Sequence, residues 1–213
     1  MEFLPEKIED YVVSNTGPEP ELLYQLNRET YQKVLIPRML SGHVQGRVLS
    51  MLSHMIQPQT ILEIGTYTGY SAICLAEGLK PGGKLITLDI NAELETMVRR
   101  YIKEANLEAA IDFRIGNAVE IIPTIDEELD LVFIDADKTN YSNYFDLVID
   151  QVRTGGFIIA DNVLWSGKVV EEISPNDDDT QALIDYSAKI TNDPRVENVL
   201  FPVRDGLMVA RKV

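Results

Sequence analysis

One cysteine, two histidines and one tryptophan are all that 213 residues hold of those types. A single thiol, Cys74, excludes an internal disulfide and any multi-cysteine zinc site. It falls within the apolar run Ala72-Ile73-Cys74-Leu75-Ala76, where a core thiol is expected rather than a nucleophile. His43 and His54 are too few for a histidine-rich metal centre, and neither is assigned a role. No apolar run approaches the roughly 20 residues of a membrane span. The start, Met1-Glu2-Phe3-Leu4-Pro5-Glu6-Lys7, lacks the basic residues and apolar stretch of a signal peptide, so the chain reads as cytoplasmic. Bases are scarce too: 19 against 34 acids, for a net charge of −15. With no Lys/Arg cluster, that balance argues against a nucleic-acid partner and for solubility. The run Asn176-Asp177-Asp178-Asp179 reads as a solvated loop and helix start, where acids suit the dipole.

What is present is the composition of an ordinary globule: 45% apolar and 25% charged residues. The length suits a single domain over 1–213, with 1–58 as a helical N-terminal cap within it. No repeat, low-complexity tract or linker divides the chain.

Up to Gln59 the pattern is helical: Glu6 to Val13, Glu21 to Val34 with Leu22, Leu23, Leu26 and Thr30 at helical spacing, and Val44 to Ile56. Gly17-Pro18-Glu19-Pro20 breaks it, Pro37 interrupts it, and Ser41-Gly42 reads as a hinge or cap. Such a preamble suits a lid, a dimer face or both. From Thr60 strands and helices alternate, the signature of a doubly wound α/β sheet. Strands are expected at Ile61–Ile64, Lys84–Leu88, Ile111–Ile115, Leu129–Ile134 and Phe157–Ala160. Helices are expected at about Ser71 to Leu79, Ala92 to Ala105, Ala118 to Ile122, Tyr141 to Val152 and Thr180 to Thr191. Pro81-Gly82-Gly83 and Thr154-Gly155-Gly156 read as turns. Val196–Val203, Arg204-Asp205-Gly206 and Leu207–Ala210 read as an antiparallel hairpin with Asp-Gly at its turn.

Two apolar runs, Leu129-Asp130-Leu131-Val132-Phe133-Ile134 and Phe157-Ile158-Ile159-Ala160, read as buried parallel strands. The first ends at Asp135, the second at Asp161 and Asn162. Ligands of open α/β sheets bind just outside such strand ends, and neighbouring strands lie about 4.8 Å apart. Two carboxylates and an amide oxygen, with no His or Cys near, make a hard all-oxygen site suited to Mg²⁺.

A second cluster lies earlier. Leu62-Glu63-Ile64-Gly65-Thr66-Tyr67-Thr68-Gly69-Tyr70-Ser71 runs from strand through glycine loop to helix, where backbone can approach a ligand closely. It is not G-x-G-x-x-G, which argues against an NAD-dependent oxidoreductase, as does a metal trio that such an enzyme leaves unexplained. Asp89 ends the second strand, where an acid can accept hydrogen bonds from both ribose hydroxyls of an adenosine. Gly116-Asn117-Ala118 follows the third, where an adenine can be held by backbone and small side chains. Glu63 is an acid inside an apolar strand and must be hydrogen-bonded or face a ligand.

Glu63 to Ser71, Phe133-Ile134-Asp135-Ala136-Asp137-Lys138 and Ala160-Asp161-Asn162-Val163-Leu164 together resemble the Mg²⁺-dependent, S-adenosylmethionine-using O-methyltransferases of the caffeoyl-CoA and catechol type, with their bacterial relatives. The resemblance extends from about Ser41 to the C-terminus. It implies a Rossmann-like, seven-stranded, mostly parallel sheet whose last strand is antiparallel, commonly in a homodimer with the N-terminal helices helping to cover the site. It also implies Asp135, Asp161 and Asn162 as metal ligands and Lys138 as general base. Cofactor contacts would come from Glu63, Gly65, Thr66, Ser71, Asp89, Ala118 and Asp137, with Ser41 at the methionine end. Tyr67, Tyr144, Asn117 and Asp135 are further cofactor-side candidates. Mn²⁺ or Ca²⁺ could take the place of Mg²⁺.

The chemistry implied is methyl transfer from a sulfonium to one hydroxyl of a catechol, a caffeate- or protocatechuate-like phenol, chelated through two adjacent oxygens. Lys138 would take the proton, its neutral form favoured by the neighbouring cation and by desolvation. Asp135, Asn162 and Lys138 would contact the acceptor, and Trp165 would form an apolar wall beside the ring or else serve as a core or interface residue. The chain departs from some catechol enzymes. Where those carry a Glu before the hairpin turn it has Pro202-Val203-Arg204, and where those place a tryptophan beside the lysine it has Asp137. Two other readings stay open: a transferase for hydroxylated tRNA uridine, and a non-catalytic cofactor-binding protein.

Overall fold

The structure, a computed structural model, describes residues 5–213. Met1 to Leu4, part of the stretch read above against a signal peptide, lie outside the described residues. In chain order the helices are α1 (Glu6–Ser14), α2 (Glu21–Lys33), α3 (Gly42–Ile56), α4 (Tyr70–Ala76), α5 (Glu95–Glu104), α6 (Ala118–Ile121), α7 (Tyr141–Val148) and α8 (Asp178–Asn192). The strands are β1 (Thr60–Ile64), β2 (Lys84–Asp89), β3 (Ile111–Ile115), β4 (Leu129–Ile134), β5 (Val152–Ala160), β6 (Val196–Phe201) and β7 (Leu207–Lys212).

They form one seven-stranded sheet in the order β3-β2-β1-β4-β5-β7-β6. β2 and β3 pair in parallel, as do β4 and β5, whereas β7 runs antiparallel to both β5 and β6. This is the mostly parallel doubly wound α/β fold expected from the alternating pattern, with the C-terminal hairpin returning β7 between β5 and β6. All six residues of β4 are buried, as a strand covered on both faces requires.

Two compact units are distinguishable. One comprises residues 5–61 and Gly65–Asn117 and holds α1 to α5 with β2 and β3. In it α5 buries Val98, Tyr101 and Ile102, one face at helical spacing. Glu29 of α2 accepts hydrogen bonds from Arg100 and Tyr101 of α5, both at 2.7 Å. The other comprises Leu62–Ile64 and Ala118–Val213 and holds α6 to α8 with β4 to β7. There α8 buries Thr180, Leu183, Tyr186 and Ile190, and Asp177 caps it by accepting from the Thr180 N–H at 3.2 Å. That cap explains why the helix starts before Thr180.

Thr154-Gly155-Gly156 is not a turn; it lies inside β5. Leu129 pairs with Val152 but Leu131 with Phe157, so the extra residues of β5 form a bulge. A Cβ on Gly156 would come within 2.7 Å of Val152 Cγ1 and 3.0 Å of the Asp130 carbonyl oxygen. Glycine there permits close backbone approach, a use that resembles a turn signal in the sequence. The helix expected to run to Val152 accordingly ends at Val148. The helix expected from Ala92 begins with a 3₁₀ turn, Ala92–Leu94, capped by Asn91.

Candidate active site

The register of β4 against β5 creates the first cluster. Ile134 pairs with Ala160, so the next residues, Asp135 and Asp161, leave the carboxyl ends of neighbouring parallel strands together. Their backbones remain tied in: Asp135 N–H donates to Ile64 O at 2.8 Å and Asp161 N–H to Ile134 O at 2.9 Å. Asn162 follows with a left-handed φ of 61°, which turns the chain sharply away from the strand, and its N–H donates to Asp161 Oδ1 at 2.7 Å.

Lys138 brings the side chains of Asp135 and Asn162 to one point. Its Nζ donates to Asp135 Oδ1 at 3.1 Å, to Asn162 Oδ1 at 2.8 Å and to the Tyr141 hydroxyl at 2.7 Å. The residue is only 8% exposed, so this is an ammonium removed from water and solvated by three protein oxygens. The faces of Tyr141 and Trp165 also turn toward it, with ring centroids 4.8 and 5.7 Å from Nζ. Tyr141 donates its own hydroxyl hydrogen to the Asp161 carbonyl at 3.0 Å. Burial, and then the charges of Asp135 and Asp161, hold the Tyr141 phenol well above its usual range, so it stays protonated.

From sequence, Tyr141 reads equally well as ordinary packing and is assigned no role. The available signal was its spacing: three residues after Lys138, at a helix start, the two side chains share one face. Among the described residues no three His, Cys, Asp or Glu side chains gather as a metal site. The trio at issue has two carboxylates and one amide, and its fit to a cation rests on another observation. Asp135 Oδ1 and Asn162 Oδ1 already converge on a single positive centre, the Lys138 ammonium. Two hard oxygens aimed at one cation, with Asp161 buried beside them, suit a divalent metal of the Mg²⁺ type.

Asp137, on the loop between β4 and α7, accepts from the Tyr144 hydroxyl at 2.5 Å and also from the Asn140 amide. Burial and this bond raise the Tyr144 pKa. Glu63, in β1, is completely buried, as are Ile61, Leu62 and Ile64 beside it. Ala118 is buried at the start of α6.

The second cluster lies in the other unit. Gly65 at φ 103° and Thr66 both donate backbone N–H to Leu88 O, at 2.9 and 3.2 Å. Tyr67, with φ 51°, donates its N–H to Asp89 Oδ2 at 2.6 Å, while Asn91 N–H donates to Asp89 Oδ1 at 2.8 Å. Asp89 is thereby aimed by two backbone donors. Burial pushes its pKa up while those donors act against the shift. Gly69, at φ 89°, opens α4, in which Ser71 is buried.

The glycine loop is also bolted to the N-terminal helices of the same unit. The Tyr67 hydroxyl donates to Ile36 O at 2.9 Å, Thr30 to Thr68 Oγ1 at 3.3 Å, and the Tyr70 hydroxyl to Glu19 at 2.5 Å. Ser41 is buried just before α3, and Asn117 follows β3 in the loop that ends this unit. Neither histidine enters a cluster: His43 bonds Gly17 O and His54 bonds Ser50 O.

Known proteins carry the same arrangement of elements. The chain is 37% identical over 209 residues to caffeoyl-CoA O-methyltransferase 2 of Eucalyptus globulus, covering 92% of this chain and 83% of that one. It is also 37% identical over 192 residues to the caffeoyl-CoA O-methyltransferase of Medicago sativa, covering 82% and 75%. Among solved structures, an O-methyltransferase from Bacillus cereus in complex with SAH superposes with a TM-score of 0.90 at 31% identity, covering 97% of each chain. An O-methyltransferase from Streptomyces achromogenes involved in tomaymycin synthesis, in complex with SAM, gives 0.87 at 27% identity over 97% and 96%. The family model described as O-methyltransferase matches residues 12–213, so that nearly the whole fold, both strand-end clusters included, falls within one pattern. The chain belongs to the O-methyltransferase family.

Proposed function

We propose that this protein transfers the methyl group of S-adenosylmethionine to one hydroxyl of a catechol-type phenol, with a divalent metal held by Asp135, Asp161 and Asn162. The observation that carries the reading is the convergence of Asp135 Oδ1 and Asn162 Oδ1 on the buried Lys138 Nζ. A structural ion pair needs only one of those oxygens. A cluster that collects a lysine, an amide oxygen and a strand-end carboxylate, with the acid Asp161 ending the neighbouring strand, suits chemistry in which a proton leaves a hydroxyl beside a cation.

S-adenosylmethionine supplies an electrophilic methyl on a sulfonium, and a divalent cation here would supply Lewis acidity to two adjacent hydroxyls. Lys138 would accept the phenol proton at Nζ. Transfer of that methyl to the phenolate oxygen would release the donor as a neutral thioether and leave Lys138 protonated, to return its proton to water before the next turnover. Tyr141 aims Nζ through its hydroxyl, and Trp165 offers a flat face beside the same nitrogen. Asp89, whose oxygens accept from the Tyr67 and Asn91 N–H groups, would accept the ribose hydroxyls with its remaining lone pairs. Cofactor contacts are further assigned to Ser41, Glu63, Gly65, Thr66, Ser71, Asn117, Ala118 and Asp137. The caffeoyl-CoA relatives support a phenol acceptor with vicinal hydroxyls.

We further propose a homodimer. Most of the large exposed apolar side chains fall within residues 5–61, among them Tyr11, Leu35, Met39, Met51 and Met55, and a second copy would cover them. Sedimentation at micromolar concentration, giving one species of twice the chain mass, is the expected outcome; a monomer at every concentration rejects it.

The decisive assay is methyl transfer from S-adenosylmethionine to a set of catechols, caffeic and protocatechuic acids included, with Mg²⁺ and with EDTA. Mono-methylated product that disappears with EDTA and in Asp135→Ala is expected. Equal turnover in EDTA sinks the metal, and no product from any catechol while the cofactor still binds sinks the acceptor class.

A further inference from the structure

We propose that Asp205, at the turn of the C-terminal hairpin, is a positioning residue. It sets which end of the Asn162 carboxamide faces the Lys138–Asp135 cation position. The inference rests on the metal reading above and concerns a residue that reading does not use.

The loop after β5 is backbone that does not hold its shape by local preference. Asn162, Trp165 and Ser166 all have left-handed φ, at 61°, 45° and 54°. Each costs energy in a non-glycine residue, so the surroundings must over-determine the loop. The hairpin turn does so. Leu164 N–H donates to Asp205 O at 2.8 Å and Val163 N–H to Gly206 O at 3.3 Å. Ser166 N–H donates to Asp205 Oδ1 at 2.5 Å. The packing is close enough that a Cβ on Gly206 would meet Leu164 Cγ at 2.5 Å.

The other carboxylate oxygen is what reaches the site. Asn162 Nδ2 lies 3.4 Å from Asp205 Oδ2, at the long end of hydrogen-bonding range, while Asn162 Oδ1 accepts from Lys138 Nζ at 2.8 Å. A carboxamide has nearly the same shape either way round, so sterics alone do not choose its orientation. Charge does. A carboxylate only accepts and therefore takes the NH₂ end; an ammonium only donates and takes the oxygen end. Asp205 and Lys138 thus sort the amide from opposite sides. Without Asp205, the NH₂ end is free to turn toward the cation position, where its N–H dipoles oppose a positive charge.

The test uses full-length protein with Mn²⁺ as probe, free metal being followed by electron paramagnetic resonance without cofactor or substrate. In Asp205→Asn the new carboxamide keeps its oxygen for the Ser166 N–H and turns its NH₂ toward Asn162, which then flips. Mn²⁺ affinity is expected to fall about 10- to 100-fold while S-adenosylmethionine affinity is unchanged. Combining Asp205→Asn with Asn162→Asp restores complementarity. The carboxylate introduced at 162 accepts from the amide introduced at 205 and turns its other oxygen to the metal, so Mn²⁺ affinity is expected to recover to within about threefold of wild type. Both proteins carry the same change at 205, so any folding cost of that change is common to them. Unchanged Mn²⁺ affinity in Asp205→Asn, or no recovery in the double variant, overturns the role of Asp205. Wild-type protein that binds no Mn²⁺ instead removes the metal reading itself and this role with it.

Discussion

Lys138 and Asn162 stand 24 positions apart in the chain, yet Nζ of one donates to Oδ1 of the other at 2.8 Å. Replacing Lys138 by Met keeps the length of the side chain and removes the proton acceptor. Methylation of a catechol is expected to slow about 10²- to 10⁴-fold, with S-adenosylmethionine affinity retained. Product quantified by mass spectrometry beside calorimetric titration of the cofactor separates the two effects, and a variant that turns over at the wild-type rate removes Lys138 as the base.

Tyr141 accepts from Lys138 and donates to the Asp161 carbonyl, so Tyr141→Phe cuts two bonds in a fully buried place. A loss of about 1–3 kcal/mol in unfolding free energy is expected from losing both hydrogen bonds in a buried place. The rate should drop by about tenfold, less than for removal of Lys138 itself, because the base survives with poorer aim. Equilibrium urea unfolding and single-turnover kinetics on the same variant report the two quantities.

Glu29 is held down to about 2 by hydrogen bonds from Arg100 and Tyr101, with Lys33 adding to them, against an ordinary value of 4.5. A carboxylate depressed on folding stabilises the folded state above its unfolded pKa, and that contribution drains away as pH falls from about 4.5 toward 2. Glu29→Gln is therefore expected to be less stable than wild type by about 1 kcal/mol at pH 7, the group being partly open to solvent. The gap should close as pH is lowered through that window. Urea midpoints of both proteins at pH 7 and pH 3 test it; a constant difference at both would contradict the linkage.

Gly46 of α3 lies against α4, where a Cβ would come 2.5 Å from Tyr70 Cε1 and 2.9 Å from Cys74 Sγ. Gly46→Ala gains helix propensity but forces one of two buried side chains aside. Overpacking should prevail, for a net loss of about 1–3 kcal/mol read as a lowered thermal midpoint. An unchanged midpoint would mean that the Tyr70 ring can retreat and release its bond to Glu19.

Much of this molecule was legible before folding. β3 and β4 have the bounds expected for them, because each short run stops at a residue that ends a strand, Gly116 after Ile115 and Asp135 after Ile134. The parallel alternation and the Asp-Gly hairpin were readable as local chemistry: period, breakers and turn residues. So were the acids at the strand ends, since Asp135 and Asp161 each directly follow their own apolar run. What local chemistry misread were glycines. Gly155 and Gly156 carry a turn's composition but serve a bulge, and only the partner strand distinguishes the two uses.

Pairing decided the rest. The register Ile134 to Ala160 makes neighbours of Asp135 and Asp161, and a shift by one residue would send every side chain of β5 to the opposite face. Lys138 meeting Tyr141 is a matter of helical spacing, within reach of sequence, but Asp205 meeting Asn162 across 43 positions is not. Residue type and period are written locally, so sequence determined the elements and the donors at their ends. Orientation of an amide between a carboxylate and an ammonium depends on charges brought from distant segments, and only the folded chain brings them together.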